Sequence, residues 1–344
     1  MLSRRDFIRG ANGIALTIPF LGLIGCDDTR ADGAHSISGK TMGTTYNVKV
    51  ARAPGTVDGD ELASRIQASL DGVEDLMSTY RTTSELSLFN ADAPGSRRSV
   101  SPDTARVVET ALAVADMTGG AFDPTVGPLV DLWGFGPKGG RADIPAQAEI
   151  AAAMSDLGYR NISVSNQGLA KTSQARLDLS GIAKGYGVDK VAELLDAEGV
   201  EHYLVEVGGE VRTRGLSPED RAWRLGIEKP NPAVRDIQHV VGLSGYALAS
   251  SGNYRIFFEA DSQRFAHIID PRNGRPLTHD LASATVIADT TTRADALSTA
   301  MLVMGADKAM RFARENDIAA YLISGRDGNF TDTASPAFER LFSA

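Results

Sequence analysis

The sequence predicts an α+β protein whose sheets are mostly antiparallel. Three observations carry this. Segments with a helical rhythm fall early and in the middle of the chain, while strand-like segments arrive in consecutive blocks, which argues against a doubly wound parallel fold. No repeat, low-complexity tract or Pro/Gly-rich linker divides residues 38–344, so they read as one large domain. The chain has 344 residues, 42% of them hydrophobic, enough to bury roughly 75% of its unfolded surface without staples.

The elements follow in order. Residues 38–51 have the β-rich alternation of a strand. Over 60–77, Leu62, Ile66, Leu70, Val73 and Met77 recur with a helical rhythm. Residues 102–117 predict a second helix, with Ser101 as N-cap, Pro102 at the first helical position and Gly119-Gly120 as its stop. A short helix is expected at 145–156. A hairpin is expected at 161–179, turning at Asn166-Gln167-Gly168. Residues 181–198 predict a helix that Gly199 ends. Strands are then expected at 203–207, 223–228, 238–242, 247–250, 254–259 and 264–269, the last two joined at Asp261-Ser262-Gln263. A strand at 283–288, a helix at 294–304 and a strand at 319–323 close the pattern.

The N-terminus reads as an address. Arg4-Arg5, followed by Phe7, precedes an apolar run from Ile14 to Ile24. That run is too short to span ~30 Å of hydrocarbon, and a basic segment before a short apolar one is the export pattern. The arginine pair is similar to a twin-arginine (Tat) signal. Leu23-Ile24-Gly25-Cys26 resembles a lipobox, which would make Cys26, the only cysteine, a lipid anchor. Asp27 favours retention at the inner membrane. The expected organisation is a signal at 1–25, a polar tether at 26–37 and a domain at 38–344, exported to the periplasmic side of the inner membrane.

One cysteine excludes an internal disulfide and a Cys-rich metal site. A net charge of −9 argues against nucleic acid as a partner. Walker A, GxSxG, HExxH, CxxC and GxGxxG motifs are absent. Four local constellations remain. Asp295 and Thr299 stand four residues apart and share a helix face, a pairing that suits either a hard cation or simple helix capping. Around 177–186 a strand runs through Gly181 into a helix carrying Lys184, which suits phosphate or a plain tight junction. Residues 119–136 combine glycines with Phe122, Asp123 and Trp133, fit for a flat ligand or for an ordinary loop. His267 precedes a turn, as a general base or as a structural histidine. His35, His202, His239 and His279 lack any motif context.

Together these pieces resemble the ApbE family of FAD:protein FMN transferases. The motifs occur in family order from about Gly39 onward: Met42-Gly43-Thr44, Ser78-Thr79-Tyr80-Arg81, Gly120-Ala121-Phe122-Asp123-Pro124-Thr125, and 178–185 (DLSGIAKG). Then come Val207-Gly208-Gly209-Glu210, 250–254 (SSGNY), 267–271 (HIIDP) and Ala294-Asp295-Ala296. The resemblance implies a T-fold-related single large domain. It also implies transfer of FMN from FAD to a Ser or Thr hydroxyl of an exported-side flavoprotein, with release of AMP. Met42, Tyr80, Ala121, Phe122, Asp123, Asp178, Lys184 and Ile269 would line the FAD site. Asp295 and Thr299 would hold Mg2+ with the Gly181 carbonyl and Ser298, the glycine being tolerated because a backbone oxygen does the work. His267 would take the acceptor proton. Implied acceptors are respiratory membrane flavoproteins of Rnf/Nqr or NosR type. With water as acceptor the same site becomes an FAD pyrophosphatase, and a non-catalytic periplasmic flavin-binding lipoprotein is the third reading.

Overall fold

The structure, a computed structural model, describes residues 34–343 except 56, 138, 140–142, 232–234, 261, 262 and 327. The expected signal, Cys26 and the Asp261-Ser262 turn lie outside the described residues. β1 (His35–Thr41) pairs with β2 (Thr44–Arg52) where one strand was expected. The break is Met42-Gly43, with φ of 47° and 71°, the left-handed pair that a two-residue hairpin turn of the primed type needs. Methionine in the first of those positions disguises the turn. Its N–H donates to Glu74 at 2.5 Å. Glu74 lies on α1 (Gly59–Met77), which buries all five residues of the predicted apolar stripe.

α2 (Glu85–Ala91) and β3 (Arg97–Arg98) lead to α3 (Pro102–Met117), where Ser101 caps by accepting from Thr104 N–H. α4 (Gly127–Leu132) is a short helix inside the Gly/Pro segment, and α5 (Gln147–Ser155) lies within the predicted span. β4 (Ile162–Ser165) and β5 (Gly168–Lys171) form the predicted hairpin, but it ends at Lys171 instead of continuing to 179. Asn90 of α2 explains this. It donates to Leu177 O at 2.8 Å and accepts from Leu177 N–H at 2.7 Å, so both groups are lost to a strand. α6 (Ala183–Ala197) follows.

β6 (His202–Val207) turns through Gly208-Gly209 into β7 (Glu210–Arg214), a strand the apolar pattern does not announce. β8 (Trp223–Glu228) and β9 (Ile237–Leu243) form a separate ribbon. β10 (Ala247–Gly252) precedes two small hairpins, β11 (Phe257–Ala260) with β12 (Gln263–Ala266), and β13 (Ile269–Asp270) with β14 (Arg275–Pro276). The expected strand at 264–269 is therefore two, split at His267 because Ile269 pairs with Pro276 instead. β15 (Leu281–Ala288), α7 (Thr291–Met304), α8 (Ala306–Glu315), β16 (Ala319–Arg326), β17 (Asn329–Ala334) and α9 (Pro336–Phe342) complete the chain.

The main sheet runs β1-β2-β6-β7-β10-β15-β16-β17, with every neighbouring pair antiparallel. The predicted fold class therefore holds. α1 and α6 pack on the β1-β2-β6 part, and α7 on Ala249, Ala284 and Val286. The β8–β9 ribbon and α9 cover the opposite face through residues such as Leu225, Val241, Ile287, Tyr321 and Phe338. β15 is buried along all but its last residue. Leu281 and Val286 reach the same core despite opposite parity, because a bulge between Leu281 and Ser283 resets the alternation. No helix among the described residues is long and apolar enough to cross a membrane.

Candidate active site

α7 is buried along most of its length, and Thr291, Thr292, Asp295 and Ser298 are buried with it, while Arg293 is exposed and Thr299 half-buried. Asp295 is 2% exposed and Ser298 0%. A buried carboxylate costs several kcal/mol unless it finds partners. Asp295 Oδ2 accepts from Gly185 N–H at 3.0 Å and stands 3.7 Å from Lys184 Nζ. Lys184 Nζ lies 3.0 Å from Glu210 Oε1, while Glu210 Oε2 is buried with no hydrogen-bond partner. Burial acts to lower the Lys184 pKa, but the Asp295 and Glu210 carboxylates outweigh it and hold the ammonium above its ordinary value. Burial pushes the Glu210 carboxyl up against the opposing pull of Lys184. Two carboxylates thus face one ammonium. A proton on Glu210 or an added cation offsets the excess.

Hydroxyls complete this cluster. Ser251 Oγ lies 2.9 Å from Ser298 Oγ and 3.0 Å from Thr299 Oγ1, and Ser298 also donates to Asp295 O at 2.9 Å. A Cβ placed on Gly181 would sit 3.2 Å from the Phe122 ring and 3.5 Å from Thr299 Oγ1. The four expected metal-side residues are therefore together, with Phe122 and Lys184 beside them. Their donors are all oxygens, which suits a hard cation. No group of three or more His, Cys, Asp or Glu side chains able to hold a metal occurs among the described residues. One carboxylate with hydroxyls fits Mg2+ that completes its shell with water and phosphate, and does not fit a protein-only cage.

The other expected residues come from several different loops and elements. The Met42 methyl would meet a Cβ on Gly187 at 2.8 Å, so it rests on α6 one turn beyond Lys184. Ala121 and Phe122 are buried. Asp123 accepts from Thr125 N–H at 2.8 Å and from its hydroxyl at 2.6 Å, and burial still raises its pKa. Asp178 donates its N–H to Pro124 O at 2.6 Å and accepts from Ser180, which joins the two loops. Tyr80 is 70% exposed. Partial burial and the charges of Asp178 and Asp131 raise its pKa. Ile269 differs from the rest, since its side chain is buried with Leu129, Trp133 and Ile150 and only its backbone remains to meet a ligand.

His267 is half-buried beside Phe135, ring centres 6.3 Å apart. Its Nδ1 lies 3.2 Å from Ile256 O. A ring N–H donated there leaves Nε2 with a free lone pair. Burial, together with the charge of Lys184, pushes its pKa down to about 4, against a smaller opposing effect of the Ile256 carbonyl. At neutral pH the imidazole is uncharged and able to accept a proton.

Two participants escaped the sequence reading as site residues, Glu210 and Ser251. Strand parity offered a signal for the second. Ala249 faces the α7 side of β10, so Ser251, two residues on, faces it too.

The comparisons agree with this architecture. The ApbE family profile matches residues 42–322. The FAD:protein FMN transferase of Vibrio cholerae serotype O1 is 41% identical over 333 residues, covering 96% of this chain and 99% of that one. The solved flavin transferase ApbE from Vibrio cholerae superposes with a TM-score of 0.82 at 41% identity, over 89% of this chain and 98% of the other. The apo form of Pseudomonas stutzeri flavinyl transferase ApbE gives 0.83 at 38% identity, over 90% and 97%. A match of that extent, on a chain whose motifs gather around α7, establishes that this protein belongs to the ApbE family.

Proposed function

We propose that this chain is an enzyme that transfers FMN from FAD to a Ser or Thr hydroxyl of a flavoprotein, releasing AMP. The observation that carries the reading is the Lys184–Asp295 contact at 3.7 Å, set among the Ser251, Ser298 and Thr299 hydroxyls. The acceptor oxygen bonds to the FMN-side phosphorus. The bond from that phosphorus to the bridging oxygen breaks, and AMP leaves with that oxygen. His267 Nε2 takes the hydroxyl proton, a contribution of about 10²–10⁴-fold. Lys184 offsets the pyrophosphate charge. Asp295, Thr299, Ser298 and the Gly181 carbonyl are the residues to hold Mg2+, which when bound polarises a phosphoryl oxygen. Met42, Tyr80, Ala121, Phe122, Asp123 and Asp178 orient FAD, with Ile269 contributing backbone.

Incubation with FAD, Mg2+ and an acceptor domain is expected to yield covalent flavin fluorescence on the acceptor and one AMP per flavin. AMP without labelled acceptor would instead indicate an FAD pyrophosphatase. FAD recovered intact would indicate a binding protein.

The proposed place of action is the periplasmic side of the inner membrane. Export by Arg4-Arg5 and lipidation of Cys26 would leave a tether shorter than the expected 26–37, because His35–Ile37 already pair with β2 as part of β1, with a respiratory flavoprotein of Rnf/Nqr or NosR type as acceptor. The support is the N-terminal pattern alone. Acyl chains add about 0.8 kcal/mol per buried CH2, so Cys26→Ser is expected to move the protein from the membrane to the soluble fraction. A variant that stays with the membrane would remove the anchor.

A further inference from the structure

α6 and α7 hold one another by their ends. Asp189, on α6, is buried. Its Oδ1 accepts from Thr291 N–H at 3.0 Å, and its Oδ2 accepts from Thr292 N–H at 2.9 Å and from the Thr292 hydroxyl at 2.6 Å. In return Asp295, on the second turn of α7, accepts from Gly185 N–H in the first turn of α6 at 3.0 Å. Each helix N-terminus, with its free N–H groups and partial positive charge, thus receives a carboxylate from the other helix. The approach is close. A Cβ on Gly185 would lie 2.4 Å from Thr291 O and 2.8 Å from Asp295 Cβ. Arg212 of β7 donates to Asp189 Oδ1 at 2.7 Å, which compensates the buried charge and ties the pair to the sheet.

α7 does not need Asp189 merely to begin. Thr290 already supplies a local cap, accepting from Arg293 N–H at 3.4 Å. What Asp189 adds is a fixed relation between two helices. One carries Asp295, Ser298 and Thr299, and the other carries Lys184. We propose that Asp189 is a positioning residue of the site: it sets the depth and rotation of α7, and hence where the cation-holding oxygens stand relative to Lys184. This rests on the reading of α7 as the helix that holds the divalent cation.

The test uses the full chain with Mn2+ as probe, followed by the electron paramagnetic resonance signal of free Mn2+ at saturating FAD without acceptor. Melting temperature and the KM and kcat for FAD are measured alongside. Partners hydrogen-bonded to a metal ligand typically change affinity about 10–100-fold, and Asp189 acts one step further back, through the start of α7, so the lower end applies. Asp189→Asn is therefore expected to raise the half-saturating Mn2+ concentration about tenfold. Thr292→Val keeps both backbone bonds and should shift it the same way by less. It decides the matter should Asp189→Asn fail to fold. Mn2+ affinity within twofold of the parent, with only the melting temperature lowered, would overturn the positioning role. Asp295→Ala serves as the control. If it binds Mn2+ as the parent does, the reading of α7 itself fails; if it is defective while the Asp189 and Thr292 variants are not, the clasp alone is refuted.

Discussion

Asp295→Ala is expected to reduce FMN transfer about 10²–10³-fold in kcat, the size of effect seen when one preorganised electrostatic partner of a transition state is removed. The substitution acts twice. It deletes the carboxylate that α7 carries beside Ser298 and Thr299. It also frees Lys184, which loses one of its two acidic partners, and Gly185 N–H, which loses its acceptor. The fold should survive, because Lys184 retains Glu210 and is not left as an unpaired buried charge, the situation that costs about 3–5 kcal/mol. Asp295→Asn separates the two effects. It can still accept from Gly185 N–H but carries no charge, so its loss should be nearly as large if electrostatics dominates, and excess Mg2+ should recover part of it. The readout is covalent flavin on a denatured acceptor as a function of time. Parental rates in both variants would remove Asp295 from the metal and from the reaction.

The elements that were legible in the sequence are those whose information is local. α1 and α3 carry an apolar rhythm and, for α3, a cap and a proline in sequence, and both appear where expected. The failures share a cause. The Met42-Gly43 turn hides behind a residue that seldom takes a positive φ. β7 shows few apolar residues because one of its buried side chains is Glu210, held there by Lys184. The 161–179 hairpin is cut short by Asn90, far away in sequence. The site behaves likewise. Asp295 and Thr299 are readable as a pair because helix geometry joins i and i+4. The Lys184–Glu210–Asp295 cluster and the Ser251 bridge are not, since only the packing of α6 and α7 against each other and against the sheet brings those positions together.

His267→Ala should lower kcat by about 10²–10⁴-fold, the usual worth of a positioned base, while the KM for FAD changes little. The pH profile makes this specific. An ordinary histidine loses its basic form as the pH falls through about 6.5. His267 is held down to about 4, first by burial and then by Lys184, and a lowered pKa means that the neutral imidazole survives to lower pH. The profile of kcat/KM, which reports the free enzyme, is therefore expected to stay flat on descending from pH 7 through 6.5. It should fall only as the pH nears 4. Lys184→Met removes the second of the two depressing causes and leaves the first, so its acid limb should move upward without reaching 6.5. In His267→Ala the limb itself should vanish from the residual rate, because no proton on residue 267 remains to be counted. A limb that persists at the parental pH in that variant would assign the proton transfer to another group, whatever the drop in kcat.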